Sequence, residues 1–127
     1  MKPHNVKYNK SKSIPDSFTH AWNGIRIAVA RERNFKIQIV FAIVAVISCI
    51  ILPVDALHTF MVMYAIFFVL CMELINTAIE SMIDLYCGKN ISPLAKIAKD
   101  CSAGAVLLAS AQALLVAVMV VQFLVSN

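Results

Sequence analysis

Glu73-Leu74-Ile75-Asn76-Thr77-Ala78-Ile79-Glu80-Ser81-Met82-Ile83-Asp84 is the stretch on which the fold turns. It continues an apolar run that begins near Ala56 and is long enough to cross most of a bilayer. At about 100° per residue, Glu73, Asn76, Glu80 and Asp84 fall within an arc of about 80° on one helix. Ile75 and Met82 lie on the opposite side. Three carboxylates and an amide along one stripe of a membrane helix are costly to keep there, so the stripe reads as a functional site.

Outward from this stretch, composition sets the class. The chain has 127 residues, 61% of them apolar and only 14% charged, which fits a single integral-membrane unit over residues 1–127. The basic residues are unevenly placed. Lys2, Lys7, Lys10, Lys12, Arg26, Arg31, Arg33 and Lys36 lie before residue 37, and Lys89, Lys96 and Lys99 lie between the second and third apolar runs. The joint between the first two runs has none, and neither does the C-terminal segment. The positive-inside rule therefore predicts a cytoplasmic N-terminus and second loop, with the first loop and C-terminus outside.

Four helices are expected. Residues 1–14 read as a mobile tail. Pro15-Asp16 opens an amphipathic surface helix over 16–33, with Asp16 as its cap and Phe18, Trp22, Ile25 and Val29 on its apolar side. Glu32 lies at the hinge into the first span, 35–52, where it either faces the acidic stripe or pairs with a neighbouring arginine. Pro53 closes that span, and Asp55 caps the next helix, 56–86, which Gly88 ends. Ser92-Pro93 starts the last helix, 93–125, whose Ala103, Gly104, Ala105 and Ala109 allow close packing. Counting from Ala56, Glu73 lies about 25 Å from the outer end, near the inner edge of the hydrocarbon. Glu80 and Asp84 lie deeper in the cytoplasmic interface, so the stripe runs from lipid level to water level.

Other chemistry finds little support. Cys49, Cys71, Cys87 and Cys101 show no C-x-x-C spacing, and the three histidines make no metal pattern. With three glycines in all, there is neither a phosphate-binding loop nor a kinase catalytic loop of the soluble kind, and nothing implies a nucleic-acid partner. What the stripe does hold are oxygen donors: Glu73, Asn76 and Glu80, with Glu32 nearby, suit a hard cation such as Mg²⁺. A lysine such as Lys99 beside them suits a nucleotide phosphate, and Glu73, at lipid depth, suits a lipid hydroxyl. Plainer readings stand beside these. Asp84 can simply end its helix in water, Asp100 can pair with Lys96, and Asn76 or Gln112 can bond across helices. Because three helices cannot wrap so polar a stripe, its cost predicts association of subunits.

Glu73-Leu-Ile-Asn-Thr-Ala-Ile-Glu80, Asp84, and Pro93-Leu-Ala-Lys-Ile-Ala-Lys-Asp-Cys-Ser-Ala-Gly-Ala-Val-Leu-Leu108 resemble the small bacterial integral-membrane diacylglycerol kinases. Trp22-Asn23-Gly24-Ile25-Arg26 and Glu32-Arg33-Asn34-Phe35 fit the same family, and the latter, with Pro93-Leu94-Ala95-Lys96, resembles its Gram-positive, undecaprenol kinase branch. The resemblance spans about residues 16–125. It implies an all-α membrane protein, a surface helix plus three transmembrane helices in a homotrimeric bundle with sites shared between subunits. It further implies Mg²⁺ with ATP as phosphoryl donor and a lipid alcohol as acceptor, either undecaprenol or diacylglycerol. Glu73 would be the general base, Glu32 and Glu80 would hold the metal, and Asn76, Asp84, Lys99 and Asp100 would line the nucleotide site. One position departs: Gln38 stands where the enterobacterial branch carries an acid. A small proton-coupled exporter built on Glu73, or a non-catalytic scaffold, are the rivals from other classes.

Overall fold

In the computed structural model, residues 13–88 and 90–126 are described; the N-terminal tail expected over 1–14 lies almost entirely outside them. They form α1 (Ile14–Arg31), α2 (Arg33–Ile51), α3 (Ala56–Cys87) and α4 (Pro93–Ser126), with no strand among them.

Each boundary has a local cause. α1 begins earlier than Pro15-Asp16 implied. Ser13, not Asp16, is the N-cap, its Oγ accepting from the Asp16 backbone N–H at 3.3 Å, with proline in the first turn. The chain breaks at Glu32, whose extended backbone (φ −93°, ψ 116°) ends α1 and starts α2. Phe35, 3% exposed, pins that elbow, and Lys36 Nζ reaches back to the Ala30 carbonyl at 3.2 Å. Asp55 caps α3 as expected: its Oδ1 accepts from the His58 backbone N–H at 2.8 Å and from His58 Nδ1 at 2.7 Å. Those two donors, the backbone N–H foremost, hold the Asp55 carboxyl below the ordinary carboxylate range. The His58 ring also stacks on Phe123, with centroids 4.4 Å apart, and so ties the start of α3 to the end of α4. Gly88, at φ 57° and ψ −127°, ends α3 in a conformation that L side chains avoid. Ser92 Oγ then caps α4 by accepting from the Ala95 N–H at 3.2 Å.

α3 and α4 pack as a long antiparallel hairpin, α2 lies against α3, and α1 touches α2 and α3. Val62, Ala65 and Val116 form the small core, with Ala45, Cys49 and Ala113 packed around them. Most large apolar side chains remain exposed, including Phe41, Phe60, Phe67 and Leu115. No soluble chain keeps so much apolar surface in water; hydrocarbon is its solvent. α2, α3 and α4 are each long and apolar enough to cross a membrane, so the chain is a multi-pass membrane protein. At 1.5 Å per residue α2 spans about 28 Å, close to the hydrocarbon thickness, whereas α3 and α4 run near 50 Å and project beyond it. The exposed Phe18 and Trp22 face of α1 suits the headgroup level.

Candidate active site

α3 supplies the acids and α4 their partners. Glu73 sits deepest, 2% exposed, on the face of α3 that meets α2. Gln38 Nε2 on α2 donates to Glu73 Oε2 at 3.3 Å, and Thr77 Oγ1 donates to the Glu73 carbonyl at 2.9 Å. One turn on, Asn76 Nδ2 donates to Glu80 Oε1 at 3.0 Å, while Asn76 Oδ1 accepts from Ser102 Oγ on α4 at 2.7 Å. Ser102 Oγ also lies 2.9 Å from the Lys99 carbonyl. At the end of the row, Lys99 Nζ donates to Asp84 Oδ1 at 2.6 Å.

The row is therefore graded in burial along α3. Glu73 is enclosed, Asn76 and Glu80 are half-buried, and Asp84 is exposed. Three consequences follow for the sequence reading. First, a single chain encloses Glu73 without a second copy, so cost alone does not require association there. Second, neither lysine forms an ion pair with Glu73 or Glu80 among the described residues: Lys99 takes Asp84, and Lys96 takes Asp100 at 2.6 Å on an exposed turn. Asp100 thus adopts the plain i, i+4 pairing and stands apart from the row. Third, Glu32 forms no ion pair with its flanking arginines among the described residues, and its side chain caps nothing. Its carboxylate and that of Glu80 lie within electrostatic reach of Glu73.

Ser102 and Gln38 are the two members that the stripe does not display. Ser102, 7% exposed, is an inconspicuous serine among small residues. Its spacing from Lys99, three residues along the same helix, is the one signal that could have found it. Gln112 was the other amide expected to bond across helices; its Oε1 is buried with no partner among the described residues.

An all-oxygen donor set of Glu32 and Glu80 fits Mg²⁺, which keeps several waters and binds through one or two carboxylates plus substrate phosphates. Among the described residues no cluster of three or more acidic, histidine or cysteine side chains forms a cradle, as a dedicated all-protein site would require.

Residues 19–121 match the family model of prokaryotic diacylglycerol kinase. The chain belongs to this family. It is 41% identical over 100 residues to a diacylglycerol kinase of Synechocystis, an alignment covering 79% of this chain and 57% of that longer protein. It is 38% identical over 90 residues to the undecaprenol kinase of Bacillus subtilis, covering 71% of this chain and 72% of that one. A diacylglycerol kinase of Escherichia coli is 32% identical over 90 residues, covering 71% and 73%. The family's members are thus named for two different lipid alcohols, and the matched span contains every residue of the α3–α4 row.

Proposed function

We propose that this protein is an ATP-dependent lipid kinase that phosphorylates the hydroxyl of a membrane alcohol at the cytoplasmic face of the plasma membrane. The observation that carries the reading is the graded row: a carboxylate enclosed at lipid depth, continued by polar groups that end in an exposed Asp84–Lys99 pair. The two ends suit substrates that live in different phases. Along the sequence all eleven Lys and Arg residues lie before residue 37 or between the second and third apolar runs, a distribution that supports a cytoplasmic reading of that side.

In the reaction, Glu73 takes the proton of the lipid hydroxyl as that oxygen attacks the γ-phosphorus of ATP. The bond from this phosphorus to the bridging oxygen breaks, and its electron pair leaves on ADP. Lys99, with Asp84 orienting it, offsets phosphate charge. Asn76, held by Ser102, positions Glu80, and the exposed Lys96–Asp100 pair offers the nucleotide further polar contacts outside the row. Glu32 and Glu80 would hold Mg²⁺, which would supply neutralisation of phosphate charge. Assembly into a homotrimer with sites shared between subunits is what the family resemblance implies.

Undecaprenol is the acceptor that the Glu32-Arg33-Asn34-Phe35 and Pro93-Leu94-Ala95-Lys96 versions of the motifs favour. Diacylglycerol is the second reading, and the 41% identity to a kinase of that name favours it. The test is a lipid panel: purified protein in micelles with γ-labelled ATP, with and without Mg²⁺. Undecaprenol should be labelled fastest, only with Mg²⁺, and Glu73→Gln should lower turnover by about 10³-fold or more while leaving the protein folded. A folded wild type that labels no lipid alcohol sinks the kinase reading, and faster labelling of diacylglycerol reverses the choice of lipid.

A further inference from the structure

α2 packs on α3 but not on α4 among the described residues, which leaves an apolar groove of about 380 Å³ between them. Phe41, Ala45, Val62, Val69 and Leu114 are among its walls, and Gln38 and Ser110 are its polar members. A second cavity of about 310 Å³, between Asn34 and Ala103, continues from the same Gln38 toward the charged ends of α2 and α4. Gln38 therefore stands where the membrane-level groove meets the cytoplasmic-side opening. Glu73 borders neither space; Gln38 lies between it and the groove.

The amide has two ends, and only one is used. Its Nε2 faces a carboxylate, which accepts and never donates when ionised, so the nitrogen must point to Glu73. That leaves Oε1, buried and without a hydrogen-bond partner among the described residues. A buried acceptor left unpaired costs about 1–3 kcal/mol, so such an atom calls for a donor. The groove's apolar walls exclude a charged one. What matches is a neutral O–H at the end of a long apolar chain.

We infer that Gln38 is the residue that receives the substrate: its Oε1 accepts the hydrogen bond of the lipid alcohol while the chain lies in the α2–α3–α4 groove. This rests on the kinase reading above and adds a docking step to it. Gln38 is a positioning residue. It holds the hydroxyl beside Glu73, and the 3.3 Å bond from Nε2 to the carboxylate is long enough to be yielded cheaply when the hydroxyl turns its proton to Glu73.

The experiment uses the full-length protein in micelles with three measurements: KM for the lipid alcohol, KM for Mg-ATP, and the inhibition constant of the same lipid capped as its methyl ether. The ether fills the groove but has no proton to donate. Gln38→Met, close in volume, should raise the alcohol KM about tenfold, the worth of one neutral hydrogen bond with its desolvated partner. The KM for Mg-ATP and the ether's inhibition constant should not change. Gln38→Ala, which removes the amide without adding bulk, should give the same pattern, and an intact KM for Mg-ATP reports a folded site. An unchanged alcohol KM overturns the inference, and so does an equal weakening of alcohol and ether, which would mean that Gln38 only shapes the wall. Wild-type turnover in the same series separates the two claims. If the wild type turns over lipid and the variants bind it as the wild type does, only the docking role fails; if the wild type turns over none, both fall.

Discussion

Ser102→Ala tests whether the α3–α4 row acts as a unit. Ser102 Oγ lies 2.7 Å from Asn76 Oδ1, and the serine is 7% exposed, so no solvent molecule takes its place without repacking. Its single proton is better placed toward Asn76 than toward the Lys99 carbonyl at 2.9 Å, which belongs to the helix's own ladder. Removing the hydroxyl strips Asn76 of the bond that fixes its amide, and with it the 3.0 Å bond from Nδ2 to Glu80 Oε1 loses its orientation. A neutral hydrogen bond contributes about 1 kcal/mol net, and the acceptor left behind adds about 1–3 kcal/mol. If about 1.4 kcal/mol of that is felt in the transition state, the rate falls about tenfold. The assay is kcat/KM for Mg-ATP at saturating lipid, for wild type, Ser102→Ala, Asn76→Ala and the double variant. The expected result is a loss of about tenfold in the serine variant and a coupling of at least about 0.5 kcal/mol between the two positions. Full activity in Ser102→Ala, or strictly additive losses, refutes the idea that Ser102 acts through Asn76 on Glu80.

Two further outcomes follow from the turns. Asp55 is held below the ordinary carboxylate range by the His58 N–H and ring. A carboxyl lowered in the folded state contributes stability that is present above its unfolded pKa and is lost as pH falls through its folded pKa. Wild type should therefore exceed Asp55→Asn in thermal stability at neutral pH and converge with it in acid, as followed by melting in micelles across pH; parallel curves at every pH refute this. Gly88→Ala places a side chain at φ 57°, ψ −127°, with open space around it but a strained backbone. It should cost about 1–3 kcal/mol by denaturant titration, and a neutral effect would mean that the turn after α3 relaxes freely.

Much of this molecule was legible in the residues. Three apolar runs, Pro53, Asp55, Gly88 and Ser92-Pro93 mark the helices, because hydrocarbon length and caps are local properties. The spacing of Glu73, Asn76, Glu80 and Asp84 placed them on one face for the same reason: helical geometry is periodic. Where local signals compete, the reading slipped. Ser13 and Asp16 are both good caps, and in the structure Ser13 caps α1 while Asp16 lies within its first turn. Lys96 and Lys99 were equally able to face the acids, and only the α3–α4 register sends Lys99 to Asp84 and Lys96 to Asp100.

The chain's own pattern thus determined the spans and the acidic stripe on one face of α3. The packing of α2 and α4 on α3 decided which of those groups are enclosed and what touches them. Glu73 is buried because α2 leans on that face of α3, and Gln38 meets it because the α1–α2 break at Glu32 sets the height of α2. Ser102 joins Asn76 because α4 runs antiparallel and close enough for a 2.7 Å bond. A helical period says which residues share a face; it says nothing of which residue on another helix stands opposite, and here that is what separates an acidic stripe from a site.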